Sequence, residues 1–211
     1  MKKAIILAGG NIISIEKIWP YIDCDTDIVC VDGGCDYAID NSLNISIAIG
    51  DFDSISENKY QTIKDKDIKR ITFNVDKDKT DMQLAIEYCI DCKYDNLHIF
   101  GGLGTRMDHS MANISFLDRF HDNFKELTIV DETNIIFSCK DEAIINNKEG
   151  YYLSFIIASG EPIIDIEGVK WPLRGHKMIP GDSYTISNKI VSESARVVVK
   201  EGSCYVFLSK D

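Results

Sequence analysis

Five short apolar runs, each closed by a turn, constrain this chain more than any other feature. They read "KKAIILAGG", "DIVCVDGG", "ISIAIGDFDS", "DIKRITFNV" and "NLHIFGGLG", and four of the five end in Gly or Asp. Between several of them apolar residues recur with helical period, as at Met82, Ala85, Ile86 and Cys89. Strands alternating with helices predict an α/β domain: a Rossmann-like parallel sheet with helices packed on both faces. In such a sheet, ligands bind outside the carboxyl ends of the strands, where the Gly and Asp residues fall. After "KELTIVDETNIIFSC" the pattern changes to β-rich pieces, "EAIINN", "GYYLSFIIAS", "DSYTISN", "ARVVVK" and "SCYVFLS", separated by turn residues. That tail predicts a small C-terminal antiparallel β-sandwich, with the boundary near residue 130.

A length of 211 residues suits one domain plus a small second one, and 45% hydrophobic residues give material for a sizeable core. The net charge of -11, without a dense Lys/Arg cluster, argues against nucleic acid or an anionic membrane as partner. An acidic protein still binds polyphosphates where divalent ions mediate the contact. The opening "MKKAIILAGG" imitates a signal peptide but meets a Gly pair before the roughly 7–15 apolar residues such a segment needs. It reads as a buried strand, and the expected location is cytoplasmic. The seven cysteines are odd in number and scattered, as reduced thiols are; Cys89-x-x-Cys92 lacks a second pair for zinc.

Four stretches at strand ends carry charge that chemistry could use. In "VDGG", Asp32 precedes Gly33 and Gly34, which is a common turn as well as a close backbone approach. In "GDFDS", an extended chain would point Asp51 and Asp53 the same way, close enough to share a hard cation. Ser54-x-x-Glu57 also fits a capping box, which accounts for one acid but not both. In "DKDKTD", Thr80-x-x-Gln83 fits a second capping box, and Asp78 and Asp81 sit near the positive end of a helix. A solvated helix entrance and a charged site both remain open there. "FGGLGTRMDHSMANI" offers backbone donors, the Arg106 guanidinium and a helix start to a bound phosphate, without the spacing of a P-loop or a dinucleotide fingerprint.

Taken in order, "DGG", "GDFDS", "KDKTD" and "GGLGTRMDH", followed by "GVKWPL" and "TISN" in the tail, resemble the thiamine pyrophosphokinase family over nearly the whole chain. The resemblance implies transfer of a pyrophosphoryl group from ATP to the hydroxyl of thiamine, with magnesium as cofactor. It implies an ATP-binding catalytic domain over 1–130, a thiamine-binding β-sandwich over 131–211, and a homodimer with thiamine at the subunit interface. By position, Asp51, Asp53, Asp78 and Asp81 match the family's metal and catalytic acids, and Lys77 and Arg106 its phosphate contacts. Asp32, Gly33, Thr80, Gly101, Gly102, Asp108 and His109 fall on the ATP side, Trp171, Ser187 and Asn188 on the thiamine side. The family's loop usually reads Gly-Gly-x-Gly-Gly-Arg, whereas Thr105 stands fifth here; a β-branched residue would be strained if φ had to be positive. Two rivals share the fold: the same transfer to another alcohol, such as a pterin, and a non-catalytic sensor. The tail motifs favour thiamine, and the retained acids favour catalysis.

Overall fold

The computed structural model describes residues 1–11, 13–52, 55–72 and 78–210. Compact units divide the chain in two, one comprising Met1–Phe116 and Phe120–Glu132, the other Leu117–Arg119 and Thr133–Asp211.

The first unit runs β1 (Lys3–Leu7), α1 (Ile15–Ile18), β2 (Thr26–Val31), α2 (Gly34–Asp40), β3 (Ile47–Gly50), α3 (Glu57–Asp65), β4 (Lys69–Thr72), α4 (Asp81–Asp91), β5 (Asn96–Phe100), α5 (Met107–Arg119) and β6 (Glu126–Val130). Its strands pair in parallel in the order β4-β3-β2-β1-β5-β6. Central β1 meets β2 from Lys3↔Thr26 to Leu7↔Cys30 and β5 from Lys3↔Asn96 to Leu7↔Phe100. Ile5, Ile6, Val29, Ile49, Leu97 and Ile99 are all buried, because helices cover both faces of a parallel sheet. Each such side chain contributes roughly 1.5–3 kcal/mol on leaving water. β4 is the sheet edge, and its sequence "KRIT" keeps three of four residues exposed, charges included.

The chain leaves β1 toward β2 on one side and β5 toward β6 on the other. The carboxyl ends of β1 and β5 therefore diverge, opening the crevice expected of a sheet whose strand order reverses.

The second unit contains β7 (Asn134–Cys139), β8 (Glu142–Asn146), β9 (Tyr152–Glu167), β10 (Leu173–Lys177), β11 (Asn188–Lys189) and β12 (Ser194–Ser209). All of its pairings are antiparallel. β9 and β12 pair along most of their 16 residues, and register shifts at Lys200/Gly202 and Ser203/Cys204 bend them. One half of β12 holds β7, the other half β8, and the bent sheet closes over Leu153, Phe155, Ile164, Val197 and Val206.

The expected class, a parallel α/β sheet followed by antiparallel strands, is the one the chain adopts. Two tail strands differ. "ARVVVK" and "SCYVFLS" are one strand, since Glu201-Gly202 makes a bulge rather than a turn. "DSYTISN" is a strand only at its last residue; its Thr185 carbonyl accepts from the Phe155 N–H at 3.0 Å and its hydroxyl donates to the Phe155 carbonyl at 2.9 Å, within what is otherwise a loop. Among the described residues no helix is long and apolar enough to cross a membrane.

Candidate active site

The acidic part of the site is built where β2 and β3 end. Asp32 follows β2 with φ 43, and its N–H donates to the Ile49 carbonyl at 3.2 Å. A non-glycine residue in the left-handed region is costly, by about 1–3 kcal/mol, and such residues concentrate at functional sites. The Asp32 carboxylate lies over Gly50, where a Cβ would meet its Oδ1 at 1.8 Å, so residue 50 has no room for any side chain. Asp51 follows directly, and two acids from adjacent strands thus share one backbone corner.

Phe52 has φ 61, is buried and packs on the Tyr60 ring at 5.7 Å. The chain is not extended at that point, so the alternation that would aim Asp51 and Asp53 alike does not apply. Asp53, Ser54, Asp76 and Lys77 lie outside the described residues. α3 begins at Glu57 with Ser56, not Ser54, at its N-cap.

Half of the second capping box forms. Thr80 is the N-cap of α4, and its hydroxyl accepts from the Gln83 N–H at 3.3 Å. The Gln83 amide does not reach back; it donates to Glu87 at 2.9 Å, and the Lys79 ammonium donates to both oxygens of the same carboxylate at 3.0 and 2.7 Å. Asp81 occupies the first turn of α4 and Asp78 the exposed entrance. Among the described residues no three His, Cys, Asp or Glu side chains form a ready metal cluster. The donors at the β2 and β3 corner are nevertheless carboxylates, the hard oxygen ligands that magnesium takes.

The glycine-rich loop after β5 zips to the loop after β1. The Ala8 N–H donates to the Phe100 carbonyl at 2.9 Å, Gly10 to Gly101 at 2.9 Å, and Asn11 to Leu103 at 2.7 Å. A Cβ on Gly10 would stand 2.2 Å from the Leu103 oxygen, which leaves glycine as the residue that fits. From the other side the Ser110 hydroxyl accepts from the Gly104 N–H at 3.0 Å, and the Asn113 amide donates to the Gly102 carbonyl at 2.6 Å. Thr105 is not among the residues with positive φ, so the β-branched side chain sits there without that strain.

Arg106 and Asp108 form a two-pronged pair, Nη2 to Oδ2 at 2.6 Å and Nε to Oδ1 at 3.3 Å, with side chains 71% and 65% exposed. The Arg106 hydrogen bond holds the Asp108 carboxyl down at about 2. His109 follows, exposed, in the first turn of α5. The guanidinium fork is therefore at the solvent face of the loop, held by a neighbour it can exchange.

In the second unit Trp171 is 54% exposed, with the Lys170 ammonium 4.5 Å from its ring centroid. Asn188 is buried beneath it: its Nδ2 donates to the Trp171 carbonyl at 2.7 Å and its Oδ1 accepts from the Trp171 N–H at 3.1 Å. Asn188 thus fixes the Trp171 backbone. Ser187 has φ 60 and donates its N–H to the Ser154 hydroxyl at 2.8 Å. The sequence reading passed over Gly9, Gly10, Ser110, Asn113 and the stacked His176–Tyr184 pair, 4.8 Å between centroids. Only "LAGG", which ends its run as "VDGG" does, carried a local signal.

A parallel sheet with an acidic corner and a glycine-rich loop, followed by a β-rich unit bearing an exposed tryptophan, defines an α/β enzyme class that handles phosphate groups. Residues 19–130 match "Thiamin pyrophosphokinase, catalytic domain" and residues 140–204 match "Thiamin pyrophosphokinase, vitamin B1 binding domain". The chain belongs to the thiamine pyrophosphokinase family, whose members are enzymes. Thiamine pyrophosphokinase of Bacillus subtilis (strain 168) is 29% identical over 215 residues, covering 100% of both chains. The crystal structure of thiamine pyrophosphokinase from B. subtilis superposes with a TM-score of 0.90 at 28% identity, over 100% of both chains. A family protein from Enterococcus faecalis gives 0.83 at 26% identity, covering 99% of each.

Proposed function

We propose that this chain transfers the pyrophosphoryl group of ATP to the hydroxyl of thiamine, releasing AMP and thiamine diphosphate. The observation that carries the reading is the corner at Gly50, where a strained Asp32 and Asp51 meet at neighbouring strand ends, in a chain of this family. The alcohol attacks the β-phosphorus in line, and the protein's task is positioning and charge neutralisation rather than covalent help. Asp51, Asp53, Asp78 and Asp81 are the residues assigned to hold magnesium, with Asp32 beside them. A magnesium ion held there would supply positive charge that offsets that of the phosphates. Arg106 releases Asp108 and turns its fork to phosphate, the exchange of one oxyanion pair for another. Lys77 is assigned as the second cation, and the backbone of Gly101 and Gly102 is assigned to the same oxygens. An aspartate, Asp81 among them, takes the hydroxyl proton. The protein acts in the cytoplasm as a homodimer that binds thiamine where subunits meet.

The test is AMP release from ATP and magnesium, followed with and without thiamine. Thiamine-dependent AMP and thiamine diphosphate formation supports the assignment; AMP release indifferent to thiamine, or stimulated by a pterin alcohol alone, overturns it. Trp171 is assigned to the cationic thiazolium ring of thiamine, a contact worth roughly 0.5–2 kcal/mol. Trp171→Ala is therefore expected to weaken thiamine binding by about 2- to 30-fold with little effect on the KM for ATP. Calorimetry showing an unchanged thiamine Kd would remove Trp171 from the site.

A further inference from the structure

One face of the Trp171 ring is already in use. The Lys170 ammonium stands 4.5 Å from the ring centroid, inside the roughly 6 Å within which an aromatic face attracts a cation. Lys177 and Lys200 of the same unit are held by acids, Glu161 at 2.7 Å and Asp165 at 2.8 Å. Lys170 is exposed and makes no ion pair among the described residues, which leaves the indole as the partner of its charge.

The backbone beneath the ring is fixed, so the lysine side chain is the part that can move. Every residue from Gly168 to Trp171 is tied to the 188–191 segment. The Gly168 carbonyl accepts from the Val191 N–H at 3.1 Å, Val169 bridges Ile190, and the Lys170 N–H donates to the Lys189 carbonyl at 2.8 Å. Asn188 holds both the N–H and the carbonyl of Trp171. Pro172 follows and restricts the tryptophan backbone further. The ammonium, by contrast, ends a flexible four-carbon stem and is readily hydrated. A thiazolium ring is itself a flat cation, drawn to the same π-face by the same attraction. Two positive charges roughly 4 Å apart repel each other, so the face holds one of them at a time.

We propose that Lys170 is a resident competitor for the Trp171 face, displaced by the thiazolium ring of thiamine when it binds. The inference rests on the reading of Trp171 as the thiamine contact. It makes Lys170 a residue that sets the affinity for thiamine by opposing it, and the opposition grows with the strength of its own hold on the ring. A side chain without charge gives up the face more easily. A guanidinium, which stacks flat on aromatic rings, gives it up less easily.

The thiamine Kd is measured by calorimetry for the wild type, Lys170→Met, Lys170→Arg, Trp171→Ala and the double variant Lys170→Met with Trp171→Ala. Lys170 is exposed, so neither of its substitutions disturbs the core. A cation on an exposed ring is worth a small factor in binding, and Lys170→Met is expected to tighten thiamine by about 2- to 5-fold. Lys170→Arg is expected to weaken it by a similar factor, although the net charge is unchanged. The gain from Lys170→Met should vanish once Trp171 is alanine, because the two side chains act through one contact. If Trp171→Ala weakens thiamine while Lys170→Met does not tighten it, the competition is overturned and the Trp171 reading stands. A gain that persists without the indole, or an arginine variant that binds as the wild type does, also overturns it, since the charge would then act at a distance from the ring. If neither Trp171→Ala nor Lys170→Met moves the Kd, the Trp171 reading falls and the inference falls with it.

Discussion

Asp51→Asn is expected to lower turnover by about 10²- to 10³-fold while leaving the protein folded, and Asp53→Asn to do the same. The substitutions keep size and hydrogen bonding but remove the charge that would anchor a divalent ion, an interaction worth several kcal/mol in the transition state. Asp51 is placed by its neighbours: Gly50 admits no Cβ because the Asp32 carboxylate fills the space, and Phe52 pins the next turn with φ 61. The backbone of the corner is therefore held from both sides, and an isosteric change at residue 51 should not relax it. The check is thiamine diphosphate formed per unit time at saturating ATP, thiamine and magnesium, together with a thermal melt. A folded Asp51→Asn protein turning over at the wild-type rate would falsify the metal assignment. A variant that melts early would show instead that the carboxylate holds the corner together.

That corner also marks how far the sequence could be read. The parallel sheet was legible because its strands are buried on both faces and show it as unbroken apolar runs, and the candidate site was suggested by the four runs of five that stop at Gly or Asp. Local periodicity was less reliable wherever one residue changes the chain's direction. An extended chain through Phe52 is what alternation assumes, but β3 ends at Gly50 and Phe52 is left-handed. Glu201-Gly202 had the composition of a turn and became a bulge inside β12, because β9 offers pairing partners on either side of it. Ser54 had the right spacing to cap α3, yet Ser56 takes the position.

Contacts between distant segments left no local mark at all. Asn188 reads as a polar residue available to a ligand, until the Trp171 backbone, 17 residues earlier, is found bonded to its amide in both directions. The pairing of Lys59 with Asp36 and Asp40 is equally silent, since an exposed-looking helix face gives no sign that the sheet will close a cavity over it. Gly10, Ser110 and Asn113 share one property: they shape the backbone of the glycine-rich loop through contacts with other segments.

Lowering the pH from 7 to 4 should cost the first unit about 3 kcal/mol of stability through His98 alone. This side chain, on β5, is 8% exposed; its Nδ1 lies 2.8 Å from the Thr128 hydroxyl of β6, and the Tyr21 ring meets it edge-on at 4.6 Å. Burial, with a smaller contribution from the charge of Lys3 on β1, lowers its pKa from 6.5 to about 4. The folded protein thus keeps His98 neutral where the unfolded chain already binds a proton, and stability rises with pH wherever the unfolded state holds more protons. The contribution is complete above about pH 6.5, falls as the pH drops below that value, and is lost once the pH has passed through about 4. Across 2.5 pH units at about 1.4 kcal/mol each, the loss is on the order of 3 kcal/mol. The paired carboxyls Asp23 and Asp108, held down at about 2 by Lys3 and Arg106, begin to matter only below their ordinary value of 3.8, so the windows separate. His98→Gln keeps a hydrogen-bonding group for the Thr128 hydroxyl and removes the titration. Urea unfolding at pH 7, 5.5 and 4 should show the wild type losing about 3 kcal/mol more than this variant over the range. Parallel pH profiles for the two proteins would mean that His98 takes up its proton without leaving the fold, and that the packing of Tyr21 and Thr128 around it tolerates the charge.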